Sequence, residues 1–483
     1  MKKSFLAAVS ISLCMFVACS DDSTGINASD STDKDEGIIA DTSSYESSTV
    51  DTDNGATFET KGSGYTDAFS DEIRIAGSTK DMATVLDSYE SDDLAGVTFD
   101  YAYSGATTIV TEEMGGEYFP GEYAIAPGGK EGGKEGGFNG RTHGLLTASE
   151  WNDLDNWSSW AEILTGEFST KTGYWKFYPN TLVAVQVVDE NDVGLANVSV
   201  ELLKEGETAF ATKTDNTGKA YCWINLFDGD TGNAPKNEDF SLKVNGKVSA
   251  EPPKITAARD SLNINVVVSD ARQAEPKADI AFIVDATGSM GDEIQFLKSD
   301  LSYIIDHAYS DTKVALRTAV VFYRDEDDEY IVRGKDFSTD VANTQAFIEQ
   351  QQANGGGDYP EAVHSALEAS LQNFSWNESA RARIAFLILD APAHHQDDIV
   401  ESLQSSITLY AKNGIKLIPV AASGVDKDTE SMLRFFDIVT GGTYVFLTDD
   451  SGIGYSHIEA SVGDHDVEKL ADLMIRLIKK YVD

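Results

Sequence analysis

The chain has 483 residues, with 37 Lys and Arg against 81 Asp and Glu and a formal net charge of −44. A chain this acidic repels nucleic acid and anionic lipid, so its charge excludes nucleic acid as a partner and favours cations as ligands. Its length is enough for two or three domains.

The first residues form a candidate export signal covering 1–18. Two lysines precede an apolar run that is too short for a stable membrane span and ends in Phe16-Val17-Ala18-Cys19. This ending resembles the bacterial lipobox, whose cysteine is lipidated and becomes the new N-terminus. An ordinary secretory signal with an incidental cysteine is the alternative. The resemblance implies a secreted lipoprotein anchored through Cys19. By analogy with known sorting rules, Ser20 favours the outer membrane or the cell surface.

The rest of the chain lacks a run of roughly 20 apolar residues, so we expect contact with the membrane only through the lipid. The chain has three cysteines. Cys14 lies in the signal and Cys19 would carry lipid, which leaves Cys222 unpaired. We therefore expect no intramolecular disulfide, and Cys222 to be a small core residue of a strand.

Composition divides the next part of the chain into a tether and an unassigned region. Residues 19–60 are acidic and rich in Ser and Thr, which predicts a disordered tether. Residues 61–142 have no assignable fold and end in a glycine-rich hinge at 128–137. The hinge approaches the spacing of a phosphate-binding loop, but Glu135 stands where a magnesium-binding Ser or Thr is required.

Residues 143–180 contain a cluster of tryptophans: Trp151, Trp157, Trp160 and Trp175. We interpret the segment as a short helix leading into a strand, which braces the following domain because clustered tryptophans usually bury area. An aromatic platform for sugars is the alternative.

Residues 181–270 alternate short strands with turns at 191–194 and 214–218. This spacing predicts an all-β sandwich. The order of strands and turns resembles the transthyretin-like and carboxypeptidase-regulatory-like modules of secreted bacterial proteins, which implies a spacer or presentation domain.

Residues 277–483 alternate strands and helices, and most of the strands are apolar on both faces. This pattern predicts an α/β domain of the doubly wound, Rossmann-like class, with helices on both faces of the sheet. In such folds, ligands bind beyond the carboxyl ends of the strands, at the switch in strand order. The predicted strands are 280–284, 314–322, 331–332, 384–389, 415–421 and 443–447, and the predicted helices are 292–307, 341–352, 360–373, 399–412, 429–439 and 467–481.

Polar residues follow the first of these strands. Asp285, Thr287 and Ser289 place a carboxylate and two hydroxyls on one tight turn, an arrangement that suits a hard cation. At this motif the sequence resembles the von Willebrand factor A family, whose metal-ion-dependent adhesion site uses Asp-x-Ser-x-Ser with a distant Thr and a distant Asp. Asp390, at the end of a later strand, matches the distant Asp. The resemblance implies Mg²⁺ as the bound ion, or Ca²⁺ or Mn²⁺.

One position departs from the family pattern. The glycine-flanked loop at 355–361 carries Asp358 where the family has Thr. A third carboxylate should bind the ion more tightly but weaken its acceptance of a carboxylate from a partner. Whether Asp358 coordinates the ion stays open at this point. A helix N-cap is the alternative role for Asp285 alone.

Two further features lie close to this motif in sequence. His394 and His395 follow Asp390 and are candidate ligand contacts, although loop histidines in solvent are commoner. The acidic turn 324–329 is a possible calcium site, and a solvated hairpin tip is the preferred interpretation.

Catalytic motifs are missing from the sequence: it has no G-x-S-x-G elbow, no H-E-x-x-H and no Cys/His metal pattern. We therefore predict a binding protein rather than an enzyme. The family resemblance implies a protein or matrix ligand bound through the metal-bearing face, including 449–464. A structural component of the cell envelope, in which the ion only stabilises the fold, is the alternative. A metal-dependent phosphohydrolase is a weaker one.

Overall fold

The computed structural model describes residues 55–62, 145–229, 234–357, 359–452 and 457–483. The predicted signal, Cys19, the glycine-rich hinge, Asp358 and most of the tether and of 61–142 lie outside these residues. Within the described ranges, none of the helices has the length and hydropathy needed to cross a membrane.

The described residues fold into strands along their whole length and into helices mainly from Gly291 onward. The strands are β1 Thr57–Thr60, β2 Thr147–Trp151, β3 Thr181–Val188, β4 Ser199–Lys204, β5 Glu207–Lys213, β6 Lys219–Trp223, β7 Phe240–Val244, β8 Lys247–Val248, β9 Thr256–Ala257, β10 Ile264–Val268, β11 Glu275–Asp285, β12 Ala315–Tyr323, β13 Val332–Ser338, β14 Ala380–Leu389, β15 Ile415–Ala421, β16 Tyr444–Leu447 and β17 Glu468–Lys469. The helices are α1 Trp157–Thr165, α2 Lys171–Trp175, α3 Gly291–Asp311, α4 Val341–Glu349, α5 Val363–Asn373, α6 Asp397–Asn413, α7 Lys427–Thr440 and α8 Leu470–Val482.

A nine-stranded mixed sheet organises the C-terminal part, with the order β1-β13-β12-β11-β14-β15-β16-β2-β17. Strands β12, β11, β14, β15 and β16 are parallel to one another, and the outer strands are antiparallel. Strand order reverses at β11, because β12 lies on one side of it and β14 on the other. The carboxyl ends of β11 and β14 therefore meet at the switch point, where ligands bind in such folds.

Helices cover both faces of this sheet, as its two-sided apolar strands predict. On one face, α3 and α8 pack on alternate residues of β11 and β14 such as Phe282 and Phe386. On the other face, α5, α6 and α7 pack on the intervening residues such as Ile283 and Leu387. This arrangement confirms the α/β fold class. Helix ends carry their expected signals: Asp426 caps α7, and Gly414 ends α6 at φ +66°.

The two outer parts of the sheet correct our prediction of where the α/β domain begins. Residues 57–60, which we placed in the disordered tether, pair with β13 as an edge strand. Residues 147–151, which we placed in the tryptophan-rich brace, lie between β16 and β17. Both segments are short and lack an alternation of apolar and polar residues. They form strands because they pair with distant parts of the chain, and their own sequence does not indicate this pairing.

Residues 181–268 form two four-stranded sheets, one with the order β10-β3-β6 and β9 against β3, the other β5-β4-β7-β8. Apolar side chains of both sheets, for example Val185 and Leu202, join one buried cluster. Asp215 shapes the predicted turn before β6, since its Oδ1 accepts hydrogen bonds from the backbone N–H groups of Thr217 and Lys219. Cys222 is fully buried in β6, and burial raises the pKa of its thiol to about 12, as suits a core residue rather than a nucleophile.

The tryptophan-rich segment packs on α7. Trp160 is fully buried with its ring edge-on to Phe435, and Trp175 donates from Nε1 to the carbonyl of Asp428 over 3.0 Å. Trp157 is buried as well. These rings have no exposed face for stacking a sugar, so they act as a brace.

Candidate metal centre

The centre is built at the carboxyl end of β11. Asp285, the last residue of the strand, is fully buried, and its Oδ1 accepts hydrogen bonds from Thr287 N (2.8 Å) and Thr287 Oγ1 (2.7 Å). Thr287 Oγ1 in turn lies 3.1 Å from Ser289 Oγ. The tight turn thus brings one carboxylate and two hydroxyls together, as the spacing of these residues predicts.

Asp390 follows β14, the neighbouring strand, and is 5% exposed. Burial, and next the charge of Asp390, raise the pKa of Asp285 to about 8. Among the described residues, no hydrogen bond of standard geometry reaches the buried Oδ2 of Asp285, although the Tyr323 hydroxyl is near enough to oppose the rise in the pKa of Asp285. A divalent cation bound by Asp285, Thr287, Ser289 and Asp390 would neutralise the repulsion between the two carboxylates, and Oδ2 of Asp285 would become one of its ligands. The set of oxygen donors therefore fits a hard cation.

The loop that precedes Asp358 is fastened to this turn. Asn354 N donates to Ala286 O over 3.0 Å, and Gly288 N donates to Gly355 O over 3.1 Å. Gly356 N donates to a carboxylate oxygen of Asp328 over 2.8 Å. The described part of the loop therefore ends beside the Asp285 turn. Asp358 itself lies outside the described residues.

Gly355 is required by the close approach of this loop to Asp328. Its φ is +79°, and a Cβ there would lie 2.1 Å from Asp328 Oδ1. We expect Gly355→Ala to displace the loop, cost roughly 1–3 kcal/mol of unfolding free energy and weaken cation binding. Chemical denaturation and metal titration measure both effects.

Gly246→Ala is the matched control, because Gly246 has φ +76° with open space around the new Cβ. Gly246→Ala places alanine at a positive φ, as Gly355→Ala does, but its Cβ meets no neighbouring atom. It should therefore leave cation binding unchanged. Equal effects of the two variants on cation binding would contradict a role for the Gly355 loop.

Glu361 is a residue of this region that the sequence analysis missed. It is 3% exposed, and burial, followed by the charges of Asp285, Asp325 and Asp390, raises its pKa to about 10. Its backbone N–H donates to Pro392 O over 2.9 Å, which brings it next to the segment after β14. The only signal in the sequence was an acid three residues after Asp358, which periodicity cannot distinguish from a surface acid.

The acidic turn at 324–329 differs from the solvated hairpin tip that we preferred. Arg324 and Asp325 are buried, at 5% and 8% exposure. The Arg324 guanidinium donates to the backbone carbonyls of Ala286 and Gln352. The turn is drawn inward because these hydrogen bonds and the Asp328 contact join it to the two loops of the site.

The two candidate histidines occupy different environments. His394 Nε2 lies 2.7 Å from Asp325 Oδ1, so it belongs to the rim of the site. His395 is exposed, its ring is stacked on Tyr174 at 3.6 Å between centroids, and its Nε2 lies 2.7 Å from Tyr174 O. His395 therefore contacts the brace segment rather than the Asp285 turn.

Across the described ranges, three or more His, Cys, Asp or Glu side chains do not come together in an arrangement that would hold a metal by themselves. The candidate centre is consistent with this finding, since its described donors are two carboxylates and two hydroxyls. Hydroxyl ligands are characteristic of sites for hard cations rather than of zinc sites built from Cys and His.

Comparison with known proteins shows what part of the chain is similar to. Residues 279–430 match the family model of the von Willebrand factor A domain. The chain is 29% identical to the putative ariadne-like RING finger protein R811 of Acanthamoeba polyphaga mimivirus, over 35% of this chain and 18% of that protein. It is 24% identical to the alpha-protein kinase vwkA of Dictyostelium discoideum, over 43% of this chain and 34% of that protein. The match thus spans about a third or less of these curated relatives.

Solved structures give more distant likenesses. Proximal thread matrix protein 1 from the mussel byssus shares 18% identity at a TM-score of 0.30, over 43% of this chain and 47% of that chain. Another structure of that protein, with a zinc-occupied MIDAS motif, shares 19% identity at a TM-score of 0.31, over 43% and 46%. A von Willebrand factor type A protein from Catenulispora acidiphila shares 14% identity at a TM-score of 0.31, over 63% and 50%. The likeness to the von Willebrand factor A family therefore rests on the match of its model to residues 279–430.

Proposed function

We propose that the von Willebrand factor A domain of this protein binds a protein or extracellular-matrix ligand through a divalent cation. The observation that supports this most directly is the buried pair Asp285 and Asp390 at the switch point of the sheet, with the hydroxyls of Thr287 and Ser289 beside Asp285. The likeness to the family adds the expectation that such a cation serves adhesion.

The ion we propose is Mg²⁺, with Ca²⁺ or Mn²⁺ as substitutes. Asp285, Thr287, Ser289 and Asp390 would hold it, and Asp358 would complete the set where the family has a hydroxyl. Three carboxylates around one divalent ion leave the complex net negative, which tightens ion binding and weakens the attraction for a ligand carboxylate. We therefore propose that the loops around the ion, including the rim at His394, contribute a larger share of ligand contacts than metal bridging does.

Binding, rather than catalysis, is the proposed role. A phosphohydrolase needs a cationic side chain aimed at the substrate phosphate beside the metal. Arg324 is a basic residue near the Asp285 turn; its guanidinium donates to the carbonyls of Ala286 and Gln352, and its Nη1 lies 3.7 Å from Glu329. Its donors are thus engaged in holding the loops.

The location we propose is the outer membrane or cell surface, with Cys19 as the lipid anchor and residues 20–54 as the tether. The two-sheet part at 181–268, as a transthyretin-like sandwich, would act as a spacer on the membrane side of the binding domain. Metabolic labelling with a radioactive fatty acid tests the anchor, because Cys19→Ala should abolish labelling.

Solid-phase binding to protein and matrix preparations, with and without EDTA, tests the adhesive function. We expect EDTA to abolish binding and added Mg²⁺ to restore it, while the far-ultraviolet circular dichroism at room temperature stays unchanged. Asp285→Ala should behave like EDTA treatment. Lys247→Met, which removes an exposed lysine paired with Asp270, is the matched control and should bind normally.

Two other outcomes would favour the alternatives. Unfolding of the domain by EDTA would favour an envelope component in which the ion is structural. Turnover of generic phosphoesters that disappears in Asp285→Ala would favour a phosphohydrolase.

A further inference from the structure

A small cavity lies at the edge of the nine-stranded sheet opposite to the metal centre. It is formed where β5 of the two-sheet part meets the amino ends of β14 and β15, and its volume is about 20 Å³. A single water needs roughly 10–15 Å³ on this measure. The cavity therefore accepts one water or one ion of similar size, with an opening to solvent.

Basic side chains line this cavity: Lys213, Arg381, Arg383 and Lys416. They come from three strands and from both parts of the structure, since Lys213 ends β5, the two arginines lie in β14 and Lys416 lies in β15. Lys213 and Arg383 meet above Gly414: a Cβ placed on that glycine would lie 3.3 Å from both Arg383 Nη2 and Lys213 Cδ. This concentration of cations stands out in a chain with a net charge of −44.

Acidic residues compensate only part of this positive charge. Lys416 Nζ lies 3.5 Å from Asp215 Oδ2. Arg383 donates instead to uncharged oxygens, namely the carbonyls of Asn413, Asn377 and Ala380 and the side-chain oxygen of Asn197. In the described part of the chain, neither Arg383 nor Lys213 has a carboxylate at ion-pair distance.

The pKa values of Lys213 and Arg383 are both lowered, as expected for two buried cations close to each other. Burial, and next the charge of Arg383, lower the pKa of Lys213, while the more distant Glu378 opposes the shift. Burial lowers the pKa of Arg383 to about 10, against the opposing charges of Asp279 and Glu378. An anion between the two cations would relieve both effects.

We propose that this cavity is a binding site for a small inorganic anion, either chloride or one oxygen of an oxyanion such as phosphate. Lys213 and Arg381 would contribute charge from the open side and Arg383 from the buried side. The ion would join the two-sheet part to the α/β domain by neutralising cations that both of them supply. This site is independent of the cation site and of the adhesive function proposed above.

A water molecule is the competing occupant. Asn216, which also lines the cavity, has a buried side-chain oxygen without a hydrogen-bond partner among the described residues. A water could donate to that oxygen and accept from Arg383. The experiment must therefore distinguish a bound anion from a bound water.

Chlorine-35 NMR line widths, measured on the full chain at constant ionic strength with gluconate as the replacement ion, make this distinction. We expect the bound chloride, calculated as the excess line width multiplied by the total chloride concentration, to saturate as chloride is added. In Lys213→Met the affinity should fall about tenfold or more with the loss of one charge-assisted contact. Competition by inorganic phosphate would identify an oxyanion site, and its absence a halide site; both support the proposal.

Controls separate this result from nonspecific effects. Lys247→Met removes a lysine outside the cavity and should broaden the line as the parent does. Near-ultraviolet circular dichroism checks that Lys213→Met is folded, and Arg381→Met is a second variant from the open side. An amount of bound chloride that rises linearly without saturating, or that is equal in the parent and both cavity variants, would overturn the proposal in favour of water.

Discussion

We expect saturating Mg²⁺ to raise the midpoint of thermal unfolding by roughly 5–10 °C, the increase that corresponds to ligand at about 100 times its Kd for a domain of this size. The physical reason is the pair Asp285 and Asp390, two buried carboxylates on adjacent strand ends whose repulsion the ion removes. Asp285→Ala should abolish the increase, because it deletes the carboxylate that the turn holds in place. Differential scanning fluorimetry with and without Mg²⁺ measures the effect.

The Asp285 carboxyl makes the stabilisation by Mg²⁺ depend on pH. Its folded-state pKa of about 8 lies above the ordinary value of 3.8, so the folded protein holds this proton more tightly than the unfolded chain does. The stability of the metal-free protein therefore falls as the pH rises from about 4 to about 8. Mg²⁺ displaces the proton, so the stabilisation by Mg²⁺ should grow over the same range.

Asp306→Ala is the matched control for this prediction, since Asp306 is an exposed acid on α3. It should leave the Mg²⁺ effect unchanged. An Mg²⁺ effect of equal size in Asp285→Ala and the parent would mean that the ion stabilises the acidic chain by general screening, and the site assignment would then be wrong.

Arg434→Met should destabilise the protein by about 3–5 kcal/mol, the cost of removing one partner from a buried ion pair. Arg434 is fully buried in α7, its Nε donates to Asp153 Oδ2 over 3.0 Å, and its Nη1 donates to Ser461 O over 2.6 Å. Glu430 lies 3.7 Å away. Loss of the guanidinium would leave Asp153 in a low-dielectric interior without a counter-ion among the described residues, whereas Glu430 keeps Lys427 at 2.8 Å. Urea denaturation measures the change.

A double-mutant cycle separates the pair from its surroundings. Arg434→Met combined with Asp153→Leu should be less destabilised than the sum of the single variants, because the second change removes one of the uncompensated acids. The exposed pair Lys247 and Asp270 is the control, and its disruption should leave the free energy of unfolding nearly unchanged, because solvent screens the pair. Additive effects at Arg434 and Asp153 would contradict direct coupling.

This ion pair also bears on domain organisation. Asp153 belongs to the segment between β2 and α1, and Arg434 to the α/β domain, so the pair fastens the segment before the two-sheet part to α7. Together with β2, it makes residues 145–180 part of the folded α/β unit. A fragment that starts at 277 would leave Arg434 without Asp153 and the sheet without its strand at 147–151.

The strands and helices within 277–483 could be predicted because their signals are local. The continuous apolar run at 280–284 indicates burial on both faces of the strand, and the amphipathic period of α6 indicates burial on one face of the helix. Asp285, Thr287 and Ser289 are close in sequence, so one turn brings them together. Asp390 could be predicted as well, since the residue after a buried parallel strand lies at the edge of the sheet where ligands bind.

Other features of the structure could not be predicted, because they bring together residues that are far apart in the sequence. Glu361, Asp325 and His394 come from three loops, and each would pass for a surface residue when only its neighbours in sequence are known. Arg434 and Asp153 are 281 positions apart, and no periodic pattern connects them. Strand β1 pairs with a segment far along the chain, as Thr60 faces Val332.

The sequence by itself thus determined the α/β class, the positions of its central strands along the chain and the carboxylate-hydroxyl turn after β11, because burial periodicity and short-range turn chemistry are encoded locally. Only the tertiary structure decided which segments complete the sheet edges, which acids are buried beside Asp285, and which cations meet at the opposite edge. The physical reason is that edge pairing, desolvation and ion pairing act between residues that the chain keeps far apart until it folds.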